Sequence, residues 1–307
     1  MIFYIRAALA MARIGLITIS ICLLFLMGMY DLHFISAVLL CVSLAAGIYA
    51  MGRMVFGRGQ LLFVEKWLKQ AGNPLQDWAQ GAPLRSLYVA IAMVAGLTLF
   101  LELVMIRWQG SLFPVFALYK NFTLLACFCG LGIGYALARE RPLLLPLSLP
   151  MLALTLLFIT VLRYAPDWIR SMLYVVPVQE EASVFGFNPR NLDFMTRFFI
   201  NVPVYFLLAG TFVLNVLTLL PVGQFCGYLM ERGKPLMSYG CNLLGSIGGV
   251  AVLFLFSWLW IGPVIWFGLC ALLLLWYQLP SPQARQVGLC SAVLCMMVVA
   301  WPTEPLV

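Results

Sequence analysis

Apolar stretches of about twenty residues recur along the whole chain, separated by short polar segments. That length is what a helix needs to cross a hydrocarbon core, and the stretches show no period-two alternation. A backbone in lipid must satisfy its own hydrogen bonds, so such runs mean helices rather than barrel strands. The pattern predicts an all-α polytopic transmembrane helix bundle of about nine spans. They fall at roughly 8–29, 34–55, 86–106, 117–138, 143–163, 200–222, 236–258, 261–279 and 284–301. The sixth apolar region runs on to Met230 and contains Pro203 and Pro221, which predicts a kink or a break. Arg6 and Arg13 precede a long apolar run without a small-x-small cleavage site. Met1–Tyr30 therefore reads as a retained first helix rather than a signal peptide.

Two connections are long. Residues 56–85 place Leu61, Leu62, Val64, Trp67 and Leu68 among Glu65, Lys66 and Lys69, a pattern suited to a helix on the membrane surface. Residues 164–199 carry Asp167, Arg170, Glu180, Glu181, Arg190, Asp193 and Arg197, with Trp168, Leu173 and Tyr174 suited to pinning a short interfacial helix. Neither is large enough for an enzyme domain. Residues 1–85 thus form two spans with an amphipathic cytoplasmic connection. Residues 86–307 form the main bundle, whose end is the expected junction to a soluble domain.

Composition sharpens this picture. The chain is 64% hydrophobic and 9% charged, against about 25% charged in soluble domains. Its net charge of +7 does not point to nucleic acid, because the basic residues sit in short loops at helix ends. A cytoplasmic N-terminus puts Arg6, Arg13, Arg53, Arg58, Lys66, Lys69, Arg85, Arg139, Arg141, Arg232, Lys234 and Arg285 inside. It leaves Arg107, Lys120, Arg163, Arg170, Arg190 and Arg197 outside. Twelve against six favours that orientation, and the chain is expected in the inner membrane of a bacterium. An odd span count then leaves the C-terminus outside.

The nine cysteines lie in or beside apolar runs and read as small buried hydrophobes. Cys127-Phe-Cys129 is not a CxxC pair, and His33 is the lone histidine, so no metal site is expected. No GxxxxGK[ST], HExxH, GxSxG or strand-borne GxGxxG is present, and no cofactor is implied. General acid–base chemistry has little material here.

Glu102 is the one acid inside an apolar run, Ser86–Ile106. At a bilayer centre it costs on the order of 2.5–3.5 kcal/mol, so it faces protein or a wet cavity. It can be hydrogen-bonded in a packed bundle, pair with Arg107 or Lys120, or line a cation or proton path. Arg107 is about 140° around the helix from it, which disfavours a direct pair. Arg107-Trp108 instead reads as an interfacial anchor. Tyr239, Asn242 and Ser246 share a helical face, Asn121 and Thr123 open the fourth span, Asn215 sits in the sixth and Gln224 lies near its end. These polar residues are either interhelical glue, worth about 0.6 kcal/mol per bond, or the lining of a polar, solute-binding cavity. The cavity reading takes Glu102, Asn121, Tyr239, Asn242 and Ser246 as its residues.

Gly130/Gly134, Gly223/Gly227 and Gly245/Gly249 are three GxxxG patterns suited to close helix packing. A faint internal echo accompanies them. Gly130–Tyr135 leads to Glu140-Arg141-Pro142, and Gly223–Tyr228 leads to Glu231-Arg232 and Pro235. Repeat-built transporters show paired motifs of this kind; chance similarity between Gly-rich helices is the competing account.

Four stretches carry a family resemblance: Phe100-Leu-Glu102-Leu-Val-Met-Ile-Arg107, Phe122–Ala138 with its GLGIGYALA, Pro221-Val-Gly223-Gln-Phe-Cys-Gly227, and Tyr239-Gly-Cys-Asn242-Leu-Leu-Gly245-Ser246 followed by Gly248. Over residues 86–279 the chain resembles the membrane domain of integral-membrane spermidine-synthase-like proteins. In those proteins a transporter-like helical region precedes a soluble aminopropyltransferase-like domain. The resemblance implies a non-catalytic membrane domain, because that family's nucleotide loop and amine-binding acids belong to the soluble part. Beyond the lipid bilayer, the expected partner is a soluble or membrane protein that the chain anchors or scaffolds. The alternative is a carrier of a small, cationic solute using Glu102, and an intramembrane enzyme is the least supported class.

Overall fold

The computed structural model describes residues 58–118, 120–140, 142–164 and 194–301, with side chains left undescribed at 58–64, 117, 118, 120 and 194–206. The two expected N-terminal spans and most of the 164–199 connection lie outside the described residues. The chain separates into two units, Met1–Trp67 and Leu68–Val307. The packing below belongs to the second.

Among the described residues the structure is all-α. Helix α1 is Arg58–Gly81, α2 Leu84–Leu112, α3 Pro114–Leu118, α4 Lys120–Ala136, α5 Ser148–Arg163, α6 Phe194–Met230, α7 Pro235–Trp258, α8 Pro263–Gln278 and α9 Pro282–Ala300. A 3₁₀ turn, Leu145–Leu147, precedes α5. Five stretches are long and apolar enough to cross a membrane: Leu84–Leu112, Leu145–Arg163, Leu207–Met230, Pro235–Trp258 and Pro282–Ala300. Asn121–Ala136 and Pro263–Gln278 are shorter apolar helices. Each of the seven expected spans within the described residues is therefore helical, and five of them reach spanning length. Helix α6 runs unbroken through Pro203 and Pro221, where the sequence predicted a kink or a break.

Prolines and a serine set the helix starts. Pro235, Pro263 and Pro282 stand in the first turns of α7, α8 and α9, where a missing N–H costs nothing. Ser281 caps α9 by accepting from the Ala284 N–H.

Contacts between helices fix their directions. Gly245 meets Ala92 and Gly249 meets Gly96, so α7 runs parallel to α2. Further along the same pair Phe256 meets Phe100 edge-on at 5.9 Å, and Arg107 donates to Ser257. Gly130 meets Val216 and Gly134 meets Leu220, so α6 runs parallel to α4. Gly223 and Gly227 complete that seam against Leu131, Tyr135 and Ala138. The two echoed glycine motifs thus face each other in one helix pair, and Arg139 pairs with Glu231 at 2.8 Å just beyond it. Gln109 bonded to Thr123 sets α4 antiparallel to α2. Tyr277 near Ala90 and Trp108 near Phe267 do the same for α8.

These contacts make the seven apolar helices α2 and α4–α9 alternate in direction. One end of the bundle gathers the α4–α5, α6–α7 and α8–α9 turns, with Arg85, Arg139, Arg232, Lys234 and Arg285. We call it the basic end. The opposite, aromatic end exposes Tyr164, Trp258, Trp260 and Trp301, side chains that favour the membrane–water boundary. Trp260 closes the α7–α8 turn at φ 54, a left-handed position that glycine usually fills and that costs another residue about 1–2 kcal/mol.

The amphipathic connection is indeed helical, as α1, but the later half of its stripe packs on protein. Leu68, Ala71, Leu75 and Ala79 are buried at three- and four-residue spacing. Trp78 meets Tyr277 edge-on at 6.2 Å.

The glycine requirement is sharpest where backbones touch. A Cβ at Gly249 would overlap the Gly96 backbone, whereas one at Gly248 meets nothing. Gly249→Leu is expected to destabilise the bundle by at least ~1–3 kcal/mol. It should lower the thermal midpoint and the monodisperse fraction in detergent, while Gly248→Leu leaves both near the parent's values.

Candidate functional site

Helix α2 is the centre of the bundle, contacting α4, α6, α7 and α8. That placement explains how it accommodates an acid. Glu102 is 1% exposed, and its Oε2 finds no hydrogen-bond partner. Glu102 therefore faces protein, in a sequence position where lipid contact would be costly.

Seven residues further along α2, within about 20° of two full turns, Gln109 occupies the same face. It is fully buried, as are Thr123 of α4 and Asn215 of α6. Gln109 Nε2 donates to Asn215 Oδ1 at 2.9 Å, and Asn215 Nδ2 donates back to Gln109 Oε1 at 3.2 Å. Thr123 Oγ1 donates to the same Oε1 at 2.9 Å. Three helices are thus tied by a reciprocal amide pair and a hydroxyl. One turn before Asn215, Thr211 is fully buried with its Oγ1 unpartnered.

Above the triad, towards the aromatic end, aromatic rings close the interface. Phe113 and Phe116 are buried, Phe116 lies 6.5 Å from Phe122, and Phe122 lies 5.5 Å from Phe212. From the α2–α4 turn inward, the rings come first, then the triad, then Glu102.

The remaining sequence candidates are distributed elsewhere. Asn242 accepts at 3.5 Å from both Tyr135 and Cys226, joining α7 to the α4–α6 seam. Tyr239 is 61% exposed, Asn121 is exposed and Ser246 is half-buried. Glu102 lies six residues beyond Gly96, and Asn242 lies seven residues before Gly249, its register partner. At 1.5 Å per residue the two sit about 20 Å apart along the parallel axes. The structure therefore does not gather Glu102, Asn121, Tyr239, Asn242 and Ser246 into one pocket. Helix α2 lines up Glu102 with Gln109, a residue the sequence reading passed over. The signal was its heptad spacing from Glu102, which puts both on one face.

Arg107 is also placed differently from a simple interfacial anchor. It bonds Ser257 and lies 4.9 Å over the Trp266 ring, a cation–π contact. Its neighbour Trp108 is buried and packs edge-on against Phe267 at 5.5 Å.

Gln224 does structural work at the basic end. Its Oε1 accepts from the Leu144 N–H at 2.7 Å. Its Nε2 donates to the carbonyls of Leu137 at 3.1 Å and Glu140 at 3.2 Å. One side chain thereby satisfies backbone groups of the α4–α5 turn, which has no ladder of its own. Among the described residues, no three His, Cys, Asp or Glu side chains gather where a metal ion could be held.

No protein family, no curated protein and no solved structure matches the chain.

Gln224→Leu is expected to leave the Leu144 N–H and the turn carbonyls unsatisfied, at about 1–3 kcal/mol for a buried group. Faster amide exchange across residues 137–145 would register the loss. Unchanged exchange there would contradict the role.

Proposed function

We propose that this chain is a multi-span membrane carrier of a small cationic species, with Glu102 as the group that binds it. One observation carries the reading: a carboxylate 1% exposed at the centre of the bundle, with Oε2 lacking a partner. A purely structural acid in such a place ordinarily finds donors, because an unmet buried acceptor costs about 1–3 kcal/mol or more. An unfilled acceptor is what a binding site keeps in reserve. The glycine seams support the same reading, since smooth backbone faces let helix pairs shift without unlocking large side chains.

The basic end is proposed to face the cytoplasm of a bacterial inner membrane. Arg85, Arg139, Arg232, Lys234 and Arg285 gather there, against Arg107, Lys120 and Arg163 towards the other end.

A second reading is an anchor or scaffold, the role implied by the resemblance to the membrane domain of spermidine-synthase-like proteins. Its support is the outer face of α7, where Leu236, Leu244, Phe254 and Trp258 are each more than two-thirds exposed. Such a face suits either lipid or a helix of a partner protein.

Reconstituted liposomes separate these readings. Uptake of methylammonium and putrescine and the dissipation of an imposed proton gradient are measured for the parent protein and for Glu102→Gln. Flux of at least one species that is abolished in a folded Glu102→Gln protein supports the carrier. Absence of flux in the parent, or equal flux in both, removes it in favour of the anchor.

A further inference from the structure

We propose that the Gln109–Thr123–Asn215 triad is the gate on the route from the aromatic end to Glu102, admitting water and the protons it carries. This rests on the carrier reading for its purpose, although not for its geometry.

Position is the first argument. Gln109 stands on the same face of α2 as Glu102, two turns nearer the aromatic end. The triad ties α2, α4 and α6. Anything reaching the carboxylate along this interface must part these three side chains.

The bonding pattern is the second argument. Gln109 Nε2 and Asn215 Oδ1 are matched to each other, and Gln109 Oε1 accepts twice. These groups are neutral, so water can replace each bond with one of similar worth. A neutral amide pair can therefore open and reclose, whereas an interdigitated apolar contact would lose packing with nothing in exchange.

Thr211 marks the outer side of the triad. Its Oγ1 is buried and unpartnered, one turn from Asn215 on the side away from Glu102. Water entering through the aromatic cap would meet this hydroxyl first, then the triad, then the carboxylate. An unmet polar atom at that point is explained by a transient water partner.

The bound species follows from the same inventory. An organic ammonium group brings three donors. Among the described side chains none hydrogen-bonds to Glu102, and the triad's acceptors already engage one another. A proton needs a single acceptor, and Glu102 supplies one.

The test reads access to Glu102 directly. Full-length protein in liposomes is treated with a quaternary-ammonium carbodiimide, which modifies carboxyl groups that water can reach. Mass spectrometry then quantifies adducts on Glu102. Asn215→Ala and Thr123→Val each remove a partner from Gln109 and should raise the Glu102 adduct by about ten-fold, as expected for losing one to two buried bonds. Arg139→Gln breaks the Arg139–Glu231 pair at the opposite end and should leave the adduct unchanged. The gate is overturned if both triad variants, eluting as folded protein, label as the parent does, or if Arg139→Gln raises labelling equally. Thr123→Val removes a single bond and keeps the test valid if Asn215→Ala fails to fold. Labelling reports access whether or not transport occurs. The gate can therefore fail while Glu102-dependent flux persists, and flux can be absent while the gate stands.

Discussion

Close backbone contact between helices is the constraint on which this structure depends. Association in a bilayer has no hydrophobic drive, so helices are held by packing and by hydrogen bonds. Gly96 against Gly249, and Gly134 against Leu220 and Gln224, bring backbones together where any side chain would intrude. Those two parallel seams bracket α2 and α4. Once they form, the intervening faces of α2, α4 and α6 meet, and the polar residues on them must find one another.

The polar residues largely do so. Thr155 pairs with Thr218 at 3.0 Å across α5 and α6, and Gln278 donates to the Leu145 carbonyl at 3.1 Å. Gln224 serves the α4–α5 turn and the Gln109 triad serves three helices. Glu102 Oε2 and Thr211 Oγ1 are among the buried polar atoms that stay unmet, alongside Ser238 Oγ, Trp266 Nε1 and Gln278 Oε1. Glu102 on α2 and Thr211 on α6 lie on opposite sides of the triad along the bundle.

The arrangement also separates two kinds of polar chemistry along the bundle. The basic end holds the Arg139–Glu231 pair, the Gln224 turn and the Tyr135–Cys226–Asn242 contacts. These tie loops and helix ends. The half nearer the aromatic end holds the acid, the amide pair and the ring cap. Alternating helix direction produces this division, because each turn returns the chain to a defined end.

Much of the architecture was legible in the sequence, for a simple reason. A bilayer forces long apolar helices, so residue chemistry alone indicated an all-α protein with spans near 86–106, 143–163, 236–258 and 284–301. GxxxG spacing marked faces suited to contact, and burial of Glu102 followed from the cost of leaving it in lipid. Spacing along one helix cannot say which other helix it meets. Tyr239, Asn242 and Ser246 share a face, yet the parallel register of α2 and α7 carries that face about 20 Å along the axis from Glu102. Gln109, Thr123 and Asn215 are scattered over more than a hundred residues, and only the meeting of α2, α4 and α6 makes them one hydrogen-bonded unit. The sequence determined which residues leave water and which faces can touch, because those follow from side-chain chemistry and helical period. Tertiary structure alone decided the partners and registers, because these depend on how every seam in the bundle closes at once.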